Sequence, residues 1–138
     1  MRKRRFIILA AVLAAVGSVV VKTLWFASPR SITVPMTYSV VMNKVAQMRP
    51  SIRPNGNPRH VWSKEESSGE LYKLRIVEGD GDPKFWPYTE VRASKVDEAN
   101  TTIELKSRKH VIYGLLGERR LFFTERRRWK ELQSVLRQ

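Results

Sequence analysis

"LYKLRIVEGDGDPKFWPYTEVRASKVDEANTTIELKSR", residues 71–108, is the stretch on which the fold turns. Leu71 to Val77 is strand-like, and Gly79-Asp80-Gly81-Asp82-Pro83 carries turn chemistry. Trp86 to Val96 and Thr101 to Lys106 form two more candidate strands around Asp97-Glu98-Ala99-Asn100. Within the last of them, Ile103 and Leu105 face one way, and Glu104 and Lys106 the other. Upstream, His60-Val61-Trp62-Ser63-Lys64 adds a strand ahead of the turn at Glu65 to Glu70. The pattern predicts an antiparallel four-stranded meander with one wet face.

Such a sheet needs cover on its dry face. Before it, Tyr38, Val41, Met42, Val45 and Met48 recur at three- and four-residue steps, and Arg49-Pro50 ends the run. That stripe fits packing against the sheet better than a methionine-lined ligand groove. After it, Phe122, Trp129, Leu132 and Leu136, with Val135 beside them, predict an amphipathic helix near residues 122 to 137. Its basic side carries Arg126, Arg127, Arg128 and Lys130, the candidate contacts for an anion or a partner. With Thr124 as N-cap, these cations would crowd the positive end of the helix dipole. Either the helix starts earlier, near Gly117-Glu118, or the charges answer to an external anion. The fold class is therefore α+β: a small two-layer domain, 36–138, with the meander flanked by an N-terminal and a C-terminal helix.

The chain opens on Arg2, Lys3, Arg4 and Arg5, followed by an uncharged run from Phe6 to Val21. Those sixteen residues span roughly 24 Å, short of the roughly 30 Å hydrocarbon core of a bilayer. Beyond Lys22, whose stem can snorkel, apolar character resumes as far as Ala27. The segment 1–27 is thus long enough for a transmembrane signal-anchor. Its membrane-facing residues are Phe6, Ile7, Ile8, Leu9, Val12, Leu13, Val16, Val19, Val20 and Val21, with Trp25 and Phe26 at the interface. Cleavage after Gly17 would leave a greasy new terminus, and cleavage after Ala27 would place Trp25 at minus three, so an uncleaved anchor is expected ahead of the alternatives, a cleaved signal peptide and a buried soluble helix. The basic flank keeps the N-terminus cytoplasmic and puts the domain outside, in a periplasmic or other extracytoplasmic space. Ser28-Pro29-Arg30-Ser31 reads as the start of a linker, 28–35.

The chain has 138 residues, and the roughly 110 left after the anchor suffice for one small domain and not for two. Cysteine is absent, which excludes disulfides, thiolate metal sites and cysteine nucleophiles. The net charge of +13 sits at the two ends. Residues 1–27 have five basic and no acidic residues; 28–105 have eleven and ten; 106–138 have ten and three. His60 and His110 have no motif around them, and Glu78, Asp80 and Asp82 lack the glycine and glutamate that would complete a calcium loop. Asn100-Thr101-Thr102 is a glycosylation sequon. No enzyme, cofactor or metal is expected.

Ser107-Arg108, the glycine-containing stretch through Gly114 and Gly117, and Arg126-Arg127-Arg128 ahead of Leu132 carry a resemblance. Over about residues 36 to 137 the chain resembles an uncharacterised bacterial and plastid domain family of unknown function. The resemblance implies a Ser-Arg strand end leading through a glycine loop into an arginine-rich last helix, and implies no activity. The expected function is that of a single-pass accessory or interaction protein whose domain packs on a larger membrane complex or envelope partner. The alternatives are a binder of a small apolar ligand, and a binder of anionic lipid or envelope polymer through the arginines. Membrane lipid is an expected partner; nucleic acid is not.

Overall fold

A computed structural model describes residues 2–26, 28–50, 60–79 and 83–138. In chain order the elements are α1 (Arg2–Trp25), β1 (Arg30–Val34), α2 (Tyr38–Ala46), β2 (His60–Ser67) and β3 (Leu71–Gly79). A 3-10 turn at Pro83–Phe85 follows, then β4 (Tyr88–Lys95), β5 (Thr101–His110), β6 (Glu118–Arg120) and α3 (Phe122–Arg137). The loop expected over 51–59, the acidic centre of the turn at 80–82 and the cleavage position at 27 lie outside the described residues.

The meander forms, with β2, β3, β4 and β5 pairing antiparallel in sequence order, but β2 runs to Ser67 through half of the expected turn and β5 continues past Lys106 to His110. The sheet has six strands, however, and not four. Residues 30–34, expected within a linker, form β1 and pair with Thr101–Leu105 of β5. Glu118–Arg120 forms β6 and pairs with Arg108–His110. Both additions lie end to end along the edge of β5 that β4 leaves free. Neither carried an apolar alternation strong enough to announce a strand: β1 is RSITV and β6 is ERR.

One face of the sheet is dry. Tyr72, Leu74 and Ile76 of β3, Val91 and Ala93 of β4, and Ile103 and Leu105 of β5 are all buried there. Val41, Val45 and Met48 cover them from the α2 side, and Leu132, Val135 and Leu136 from α3. The methionine-bearing stripe is therefore core. The opposite face is wet, and Glu90 on it is ringed by Arg92 at 3.5 Å, Lys106 at 3.8 Å and Arg75 at 3.9 Å. At one end of that face, Val77, Trp86 and Tyr88 make a second, small cluster. It dictates a glycine: a Cβ on Gly79 would sit 2.9 Å from Cγ of Trp86.

In α3 the apolar stripe is corrected at its first turn. Leu132, Val135 and Leu136 are buried and Trp129 packs against them, but Phe122 is exposed and its place in the core is taken by Glu125. Phe122 instead meets the Arg120 guanidinium, 5.3 Å from its ring, and the edge of Phe123. Leu132→Ala should lower the stability of the full chain in mild detergent by about 2 to 5 kcal/mol, read from urea unfolding. The same substitution at exposed Val40 should cost well under half as much.

Candidate functional site: a basic cleft beside a docked helix end

The site is built by the turn from β5 through β6 into α3. Leu121 holds the N-cap position of α3 without a side-chain cap, so the helix begins neither at Thr124 nor near Gly117. β6 occupies the residues between. The Leu121 N–H donates to the Ser107 carbonyl at 2.9 Å, pinning the helix start to β5. One turn in, Glu125 is almost wholly buried and accepts from Arg30 Nε at 2.9 Å on Oε1. Arg120 closes the pair as a fork, with Nε 3.0 Å from Oε2 and Nη2 2.5 Å from Oε1. A first-turn carboxylate suits the positive end of the helix dipole, and two guanidiniums offset its desolvation.

Beside this clamp lies a cleft of about 420 Å³, floored by Ile76 and Thr89 and walled by Lys109, Arg119, Arg127 and Arg128, with Glu78 as its carboxylate. Lys109 and Arg119 stand directly opposite each other across β5 and β6, an arrangement of like charges that is unfavourable by itself. Arg127 and Arg128 approach Glu78 at 4.0 and 3.7 Å, and Arg128 also donates to Glu131 at 3.0 Å. Of the four cations expected to act together, the structure brings Arg127 and Arg128 into the cleft. Arg126 and Lys130 are exposed and do not line it. Lys109 and Arg119 were missed because their alignment requires β6, which no hydropathy pattern signals. Chemically the cleft can hold an anion. Its lining includes neither histidine nor cysteine, and the hydroxyl of Thr89 is engaged with that of Ser107 at 2.8 Å.

The end of α1 abuts the same end of the domain. The indole Nε1–H of Trp25 donates to the Leu116 carbonyl at 2.7 Å. Arg108 Nη1 lies 3.3 Å from the carbonyls of both Leu24 and Trp25, placing a cation on the last carbonyls of a helix, where unpaired acceptors and the negative end of the dipole favour it. Phe6, Ile7, Ile8, Leu9, Val12, Leu13, Val16, Val19, Val20 and Val21 are exposed along α1, while Trp25 is half-buried against the domain and Phe26 is exposed just past the helix end. Around this junction the Tyr88 hydroxyl donates to Glu118 at 2.6 Å. Burial, and then that bond, push its pKa up to about 12.

No family model, curated protein or solved structure matches the chain, so what the site can do rests on its own geometry. The clamp sets the site's stability. Glu125→Gln should cost about 3 to 5 kcal/mol by leaving Arg30 and Arg120 without their shared carboxylate, whereas Arg126→Gln should stay within about 0.5 kcal/mol, both read from chemical unfolding.

Proposed function

We propose that the protein is a membrane-anchored, non-enzymatic accessory protein: α1 crosses the bilayer with its N-terminus in the cytoplasm, and the α+β domain works outside, seated against a larger membrane complex or envelope partner. Among the described residues α1 is the one helix long and apolar enough to cross a membrane, at 24 residues or about 36 Å. The observation that carries the proposal is the docking of Trp25 and Leu24 onto Leu116 and Arg108. A signal sequence destined for removal has no use for a side-chain seat on the mature domain, whereas an anchor that sets the domain's height and tilt does. The resemblance over 36 to 137 is compatible with this role and adds no activity to it.

The test is topological. A reporter that works only outside the cytoplasm, fused after Gln138, should be active, and the fusion should remain in the membrane pellet after an alkaline carbonate wash. Activity of a cytoplasm-only reporter at that position would reverse the orientation, and release by carbonate would remove the anchor.

A second reading is favoured by the cleft, where four cations face one carboxylate: the partner presents an anionic group there. Inorganic phosphate, compared with chloride at equal ionic strength, should raise the melting temperature of the full chain in mild detergent by a few degrees more than that of an Arg119→Gln, Arg127→Gln variant. Equal shifts in the two proteins would assign the effect to the general influence of phosphate on solvent and remove the cleft as an anion site.

A further inference from the structure

The connection from β5 to β6 is Val111-Ile112-Tyr113-Gly114-Leu115-Leu116-Gly117, seven residues with no charge among them. Water is a poor environment for what it shows. Tyr113 is 78% and Leu115 82% exposed, Ile112 and Leu116 more than half. Phe26 at the end of α1, and Phe122 and Phe123 at the start of α3, are exposed as well, Phe123 at 84%. Four large exposed apolar side chains within one seven-residue loop of a small domain mark a surface that something covers.

Three observations identify the cover as the lipid bilayer. The first is depth. The Leu116 carbonyl accepts from the Trp25 indole at the end of α1, so wherever α1 emerges from the hydrocarbon, this loop lies at the same level. The second is the backbone. Val111, Gly114, Leu115, Leu116 and Gly117 all donate their N–H groups to carbonyls within the loop, the closing bond being Val111 to Gly117 at 3.0 Å. Internal pairing of five of the loop's seven N–H groups lowers the cost of carrying irregular chain to the interfacial margin of a membrane. The third is the rim. His110 and Glu118, 3.6 Å apart, close the feet of the loop, and Lys109 and Arg119 stand one register position behind them, where anionic headgroups would meet the two cations. The loop's conformation is also costly: Ile112 and Tyr113 are held at φ of 50° and 52°, left-handed values that a β-branched residue rarely adopts.

We propose that residues 112–116 are a second membrane-insertion element, a lipid-embedded wedge that enters the same leaflet from which α1 emerges. The proposal rests on α1 being a membrane span. The wedge turns a single-point tether into a two-point seat, fixing the rotation of the domain about the α1 axis and so choosing which face meets a partner. Interfacial burial of Leu115, Leu116, Ile112 and Tyr113 supplies the same kind of gain that holds monotopic proteins on membranes.

Because the chain has no cysteine, single-cysteine probes report each depth separately. Bimane placed by Leu115→Cys in the full chain, reconstituted in nanodiscs of phosphatidylglycerol and phosphatidylcholine, should emit blue-shifted light. A shallow acyl-chain nitroxide lipid should quench it several-fold more than aqueous iodide does. Bimane from Glu98→Cys, on the exposed β4–β5 turn, should show the opposite preference, and bimane from Val12→Cys should be quenched by deep nitroxide lipid. Should Leu115→Cys fail to fold, Leu116→Cys, in the same loop, carries the same measurement. Lipid quenching at Val12 with iodide quenching at Leu115 overturns the wedge and leaves the anchor standing. Loss of lipid quenching at Val12 and Leu115 together overturns both, and lipid quenching at Leu115 without it at Val12 removes the span and with it the two-point seat.

Discussion

Taking a carboxylate out of water costs several kcal/mol unless cations accompany it, and Glu125 is buried in the company of two guanidiniums. Arg30 comes from the first strand of the sheet, Arg120 from the last, and Glu125 from the helix that covers both. None of the three elements has much apolar surface of its own at this point. β6 has no apolar residue, and the first turn of α3 turns its two phenylalanines outward. The charge triad does there what apolar packing does under the rest of α3, and it does so with a preference for direction: a forked guanidinium on a carboxylate accepts few alternative geometries. β6, held by this carboxylate, closes the 111–117 loop and supplies the Arg119 wall of the cleft.

The wet face of the sheet repeats the device in milder form. Glu90 is largely buried among Arg75, Arg92 and Lys106 on the neighbouring strands and its own, and the Arg75 guanidinium also lies 3.9 Å from the centre of the Tyr88 ring. Long cationic side chains lying flat over a sheet cover apolar backbone and keep their charge in solvent. That face is thereby finished without a third layer, while the other face receives two helices. At the β5–β6 end, where helix end, loop and cleft meet, exposed apolar side chains are concentrated in the 111–117 loop.

How much of this the sequence disclosed follows from which forces write themselves into local patterns. Period-two alternation in Thr101–Lys106 and the three-four spacing of Tyr38, Val41, Met42, Val45 and Met48 are read directly, because each records burial of one side of one element. β1 and β6 left no such record: their pairing is decided by β5, which offers a free edge, and by Glu125, nearly a hundred residues from Arg30 in the chain. For the same reason Phe122 looked like core by spacing, and a glutamate three residues later proved to be. At the site, Arg127 and Arg128 stood out as part of a run, but their cleft partners Lys109 and Arg119 are isolated cations that only strand register brings together. Local pattern reports hydrophobic faces well; it is silent on convergent charge.

The distances between bonded partners along the chain also order events in time. β2, β3, β4 and β5 are joined by short turns and can pair as soon as they exist, whereas Trp25 meets a residue 91 positions later and Arg30 one 95 positions later. A chain made or delivered from its N-terminus therefore carries the first strand unpaired until β5 is available, and Arg30 without its carboxylate until α3 follows. Its last segment, α3, then completes the early part of the domain by bringing in the carboxylate that Arg30 lacks. The contacts that seat the domain on its helix, made by Arg108 and Leu116, become available between these two steps, so the domain can take its bearing on α1 once β5 and the loop after it exist.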